Sequence, residues 1–163
     1  MYQVNDLVLY GVHGVCKILE VQMQTVNRKK TEYFVLEPIS QQGSRFFVPT
    51  KSEVALSKLR CLISKEEIMA LLASPESHRE IWLDDENQRK QQYKDVLTTG
   101  DRAMLLCLLR LLDRHRELQA DSGKKFHISD ANFMRDAQKI IFSEFSLVLG
   151  TSIDVVEQYI KTL

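Results

Sequence analysis

His13 and Cys16 stand three residues apart, while Cys61, Cys107, His78, His115 and His127 are scattered over the rest of the chain. A tetrahedral zinc site draws on two closely spaced ligand pairs, and this spacing supplies only one. Glycines never cluster into a phosphate-binding loop, and no paired-carboxylate motif occurs. A Cys–His nucleophilic pair stays open, because such partners meet in space rather than in sequence. Three widely spaced cysteines make no disulfide framework and are expected to be buried thiols in a reducing compartment. These residues predict a protein that is not an enzyme and has no metal or cofactor.

Side chains suited to binding are more plentiful. Arg110 and Arg114 are four apart and share a helix face, as do Arg135 and Lys139. With Arg89, Lys90, Lys94, Arg116, Lys124 and Lys125 they form a candidate phosphate-contacting set, which would give affinity without sequence reading. Their alternative is a solvated face paired with Asp113, Glu117 and Asp136. Trp82, the single tryptophan, suits either a wedge at an unstacked base or a packing role beside Ile81. Phe46 and Phe47 are adjacent in a strand-like run, so they point to opposite faces and one is expected to be exposed.

Two kinds of element must position these residues. Val4–Lys17 holds a short apolar run, Leu7 to Tyr10, expected to be a strand buried on both faces, followed by a bend at Gly11 and Gly14. Strands are predicted at 18–23, 32–36 and 45–49, with a charged hairpin tip at Asn27–Lys30 and a short closing strand at 58–61. After Ile63 the period becomes helical. Ser64 and Glu67 form a capping box, and Ser74–Pro75 is expected to begin a helix reaching about Leu97, with Trp82–Asn87 as a place of interruption. Further helices are predicted from Arg102 to about Gln119, from a Ser129 or Asp130 cap to Gly150, and from Thr151 or Ser152 onward. The fold class is α+β: a five-stranded Tudor- or SH3-like barrel over 1–62, then an all-α bundle of about five helices over 63–163.

The 163 residues are 44% hydrophobic and 27% charged, ordinary for a globular protein, and no run reaches the ~18 apolar residues of a membrane span. Met1 leads directly into polar residues and the first strand, which predicts no signal peptide and a cytoplasmic, monomeric protein without membrane contact. Net charge is zero but uneven. Through Ile63 there are eight basic and five acidic residues, so the front is net +3 and the helical part net −3. A negative helical part can bind DNA only through a local basic patch.

Asp6-Leu7-Val8-Leu9-Tyr10-Gly11-Val12-His13-Gly14-Val15 resembles the opening of the CarD/CdnL family of bacterial transcription regulators, whose Tudor-like module is shared with the transcription-repair coupling factor. The same order continues in Glu32-Tyr33-Phe34-Val35-Leu36, Phe47-Val48-Pro49, Leu59-Arg60, Thr99-Gly100-Asp101, Leu108 to Leu112 with Arg114, and Phe133 to Ile141 with Glu144. The resemblance implies that the barrel binds the RNA polymerase β subunit by edge-strand pairing, through Glu32, Tyr33, Phe34, Arg45, Phe47 and Pro49. It also implies that the helical domain touches promoter DNA beside the melted region and stabilises the open complex, through Trp82, Arg89, Lys90, Arg110, Arg114, Lys124 and Lys125. The alternative is an adaptor that binds polymerase or another protein and never DNA. The sequence departs from the family at its usual tryptophan, whose place is taken by Glu86, and Asp84 and Asp85 follow Trp82.

Overall fold

The computed structural model describes residues 1–163, which divide into two compact units, Met1–Leu62 and Ile63–Leu163. The first holds five strands: β1 (Leu7–Tyr10), β2 (Val15–Val26), β3 (Lys29–Pro38), β4 (Phe46–Pro49) and β5 (Leu59–Cys61), with a one-turn helix α1 (Glu53–Leu56) before the last. They form one antiparallel sheet in the order β4-β3-β2-β1-β5, a Tudor-like domain. The β2–β3 hairpin turns on Asn27 and Arg28, whose φ of 51° and 63° are those of a type I′ turn. Val8, Cys16, Ile18, Phe34, Leu36, Val48 and Leu59 fill its core. Each large apolar side chain buried there contributes about 1.5–3 kcal/mol.

The fifth strand lies where it was expected and pairs with β1, which leaves β4 and β5 as the margins of the sheet. Two expectations need correction. β1 is covered on both faces only at Val8 and Leu9, because Leu7 at its start is exposed. Cys16 and Cys107 are buried, but Cys61, at the end of the marginal strand β5, is exposed.

The second unit contains α2 (Lys65–Leu72), a 3-10 turn (Pro75–His78), α3 (Glu86–Thr99), α4 (Arg102–Asp121), α5 (Ile128–Leu149) and α6 (Ile153–Thr162). Ser64 Oγ accepts from Glu67 N–H while the Glu67 carboxylate accepts from Ser64 N–H, so the capping box is complete. α4 is central and buries seven side chains, Leu105 to Leu109 with Leu111 and Leu112. Gly100 and Gly150 close α3 and α5 in the left-handed conformation, where a Cβ would be strained.

The helix expected from Pro75 is only the 3-10 turn, and α3 begins eleven residues later behind an Asp85 cap. The intervening backbone is held by other partners. Arg89 donates to the carbonyls of Leu83 and Asp84, and Cys107 Sγ donates to that of Arg79. Neither Ser129 nor Asp130 caps α5, because His127 occupies that position. Ser129 instead bonds Glu86, and Asp130 is drawn inward to Arg89. No helix is long and apolar enough to cross a membrane.

Candidate functional site

In the first unit the candidate surface is the outer margin of the sheet. β4 pairs with β3 through Tyr33↔Pro49, Phe34↔Val48, Val35↔Phe47 and Leu36↔Phe46, and no strand lies on its other side. Alternate N–H and C=O groups of a marginal strand face outward and can accept another strand. Side-chain alternation sends Phe46 inward against Tyr10 and His13, with ring centroids 5.4 and 4.2 Å away. Phe47 points out and is 45% exposed, with Tyr33 edge-on at 6.3 Å. Arg45, just ahead of the strand, pairs with Glu37. Glu37 also accepts from Gly43 N–H, and these bonds, the backbone one first, hold its carboxyl below the ordinary range.

Tyr33, Arg45, Phe47 and Pro49 therefore meet along one margin. Two proposed neighbours are otherwise employed. Phe34 belongs to the core, so its side chain is not available to a partner. The Glu32 carboxylate accepts from Thr50 Oγ1 at 2.8 Å, and its carbonyl from Thr50 N–H, tying the chain after β4 back to β3.

In the helical unit the cations proposed from sequence separate into three groups. Arg89 is 4% exposed; its guanidinium forms a two-bond pair with Asp130 at 3.1 Å and donates to the Leu83 and Asp84 carbonyls. A phosphate cannot reach it, so Arg89 leaves the DNA-contacting set. Tyr93 completes this buried cluster, donating to Asp130 at 2.6 Å; burial first, then that hydrogen bond and the Asp130 charge, push its phenol pKa upward. Arg110 also leaves the set. It donates to the carbonyls of Leu72, Ser77 and Ile160 and to Ser77 Oγ, an internal clamp joining α4 to α2, the 3-10 turn and α6. Arg114 is exposed but paired with Glu80 at 2.8 Å, beside a hollow shared with Arg116 and Lys161. Lys90 and Lys125 line a second hollow of about 560 Å³ with Phe126 and His127, and exposed Lys124 precedes it. The two hollows have no residue in common.

Trp82 is half-buried. Its ring lies 4.1 Å from the His115 ring and 4.8 Å from the Arg89 guanidinium carbon. Burial holds the His115 pKa below its ordinary 6.5. As pH falls through 6.5 the unfolded chain therefore binds a proton before the folded one does, and stability must fall with it. Urea midpoints measured by circular dichroism are expected to decline from about pH 7 to about pH 5, with a shallower slope in His115→Gln; equal slopes would remove His115 as the cause. Burial likewise pushes the Cys107 thiol upward, opposite to the activation of a nucleophile.

Sequence reasoning missed Asp130, Tyr93 and Glu144 as interior anchors. Glu144 is fully buried and accepts from Arg102 Nε at 2.7 Å, Arg102 Nη2 at 2.8 Å and Ile63 N–H at 3.0 Å. The signal was present: Asp130 and Glu144 fall on the same three- and four-residue spacing as Phe133, Ala137, Ile140 and Ile141, and a carboxylate on an apolar stripe demands a partner.

Residues 2–60 match the family model described as the CarD-like/TRCF RID domain. No curated protein matches the chain.

Proposed function

We propose, from the match of residues 2–60 to the CarD-like/TRCF RID domain, that the chain is a non-enzymatic, RNA polymerase-interacting transcription regulator whose β4 margin receives a strand of the polymerase β subunit in the cytoplasm. The observation that carries this reading is the unpaired β4 margin with Phe47 exposed on it. Main-chain bonds along β4 supply affinity. Phe47, Tyr33 and Arg45 supply the side-chain pockets that select the partner. Phe47→Asp with Arg45→Glu is expected to abolish co-purification of polymerase with the full chain, while far-UV circular dichroism stays unchanged. Undiminished co-purification would place the contact on a different strand.

The helical unit, in this proposal, meets promoter DNA through Lys90, Lys124 and Lys125 around the second hollow, with Arg114 as a separate phosphate contact. Such contacts position the protein without reading bases. A regulator bound more tightly to the open than to the closed promoter complex shifts the equilibrium toward open. Trp82, seated on His115, is the candidate for a contact made only in the open form. Lys124→Glu with Lys125→Glu is expected to weaken DNA binding and to flatten its dependence on log salt by about 2, one for each phosphate that a lysine ceases to neutralise. The same variant should shorten the lifetime of open complexes on a promoter template. One observation favours the adaptor reading: the helical unit is net negative, and Arg89, Arg102, Arg114 and Arg116 are all paired within it. Salt-insensitive association, or none, would decide for the adaptor.

A further inference from the structure

β2 is twelve residues long, yet β1 and the two residues before it cover its outer side only as far as Ile18. A register shift between Ile18 and Glu20 then carries the strand away, and from Glu20 to Val26 β2 is paired with β3 alone. This second open margin lies on the opposite side of the hairpin from β4. Beyond that shift it carries no further protection: no charged residue and no proline occurs from Val21 through Asn27. Val21, Met23 and Val26 are 44%, 58% and 47% exposed.

The order of residues on this margin identifies what fits it. About Met23 the sequence is nearly symmetric: Gln22 and Gln24 flank it, then Val21 and Thr25. We propose that two copies of the chain pair here, β2 against β2, antiparallel about a two-fold axis at Met23. A two-fold contact must be self-complementary, and this one is. Met23 faces Met23, Val21 faces Thr25 of the second copy, and these β-branched and apolar side chains line one face. Gln22 faces Gln24 on the other face, where each amide can bond across the axis. The two already bond within one copy, Gln24 Nε2 donating to Gln22 Oε1 at 3.2 Å. Antiparallel pairing also sends the basic tips, Arg28 to Lys30, to opposite ends of the joint, so the strongest like charges of the hairpin do not meet. Each copy keeps its β4 margin free, so the pair does not compete with the polymerase contact. It replaces the monomer expected from sequence with a concentration-dependent dimer.

Sedimentation of the full chain over a concentration series tests this. The expected weight-average mass rises from 18.9 kDa toward twice that value. Met23→Lys places two ammonium groups on the axis and should weaken self-association at least about tenfold. Val21→Lys alone should weaken it, and adding Thr25→Glu should restore it, because each new cation then faces a new anion of the other copy. Met23→Cys in a Cys61→Ser background should form an intermolecular disulfide on mild oxidation. A mass fixed at 18.9 kDa at every concentration, or a dimer indifferent to Met23→Lys, overturns the proposal.

Discussion

Asp130→Ala is expected to remove about 3–5 kcal/mol from the stability of the helical unit, the usual consequence of stripping one partner from a buried ion pair. Asp130 is fully buried and Arg89 nearly so, and the pair is joined by two parallel bonds of 3.1 Å. Without the carboxylate, the guanidinium keeps only the Leu83 and Asp84 carbonyls, and Tyr93 loses the acceptor of its hydroxyl. The loss would spread through neighbours. Arg89 is the link between α3, the extended segment before it and α5, and Tyr93 stacks on Phe133 with centroids 4.1 Å apart. Urea unfolding followed by circular dichroism measures the cost. Trp82 emission reports the same event locally, since Arg89 lies against its ring. Removing both charges, with Arg89→Met added to Asp130→Ala, should recover part of the loss, because no unpaired charge then stays buried. A single variant within about 0.5 kcal/mol of the parent, the size of an ordinary surface effect, would show that Arg89 regains solvent and that the cluster is not an anchor.

The cluster also explains which parts of the structure were legible beforehand. The five strands and a hairpin tip within Asn27–Lys30 follow from local chemistry, β-branched and aromatic runs broken by charged, turn-forming residues; the turn itself falls on Asn27 and Arg28. The Ser64 capping box and the apolar surround of α4 are equally local, written within a few residues of each other. Local patterns cannot say where a long side chain ends. Arg89 and Arg110 looked like part of a phosphate-binding face, but each turns inward to acceptors more than thirty residues away along the chain. The same blindness began a helix at Pro75 that was to reach about Leu97, with Trp82–Asn87 as a place of interruption, where the structure has only a 3-10 turn and then α3 from Glu86. Nothing within that stretch announces that Arg89 on α3 and Cys107 on α4 will take hold of the carbonyls of Leu83, Asp84 and Arg79. At the sheet margin sequence performed better. The neighbours Phe46 and Phe47 had to diverge, and Phe47 is the one on the exposed face of β4; that β4 is also a margin comes from the strand order, which no local pattern states.

Glu144→Ala carries the second large effect, again about 3–5 kcal/mol, but its consequence reaches the point where the chain enters the helical unit. Glu144 is fully buried on α5 and gathers two N–H bonds from Arg102 at the start of α4 and one from the backbone of Ile63. Ile63 N–H lies just ahead of the α2 cap, outside any helix, so no intrahelical acceptor replaces the lost carboxylate. Glu144→Gln can leave a carbonyl oxygen at the Oε1 place, which accepts from both Ile63 N–H and Arg102 Nη2, but it turns an NH2 group toward Arg102 Nε and loses the charge, so it should fall between parent and alanine. Pairing Glu144→Ala with Arg102→Met separates the contributions. If the ion pair dominates, the double variant is more stable than Glu144→Ala alone, since the orphaned guanidinium is gone. If the Ile63 bond dominates, Arg102→Met gives no recovery. Amide hydrogen exchange then discriminates directly: loss of the Ile63 bond should accelerate exchange at Ile63 and along Lys65–Leu72 before it affects α4. Uniform acceleration across α2, α4 and α5 would instead mean that Glu144 secures the helical unit as a whole and not its point of entry.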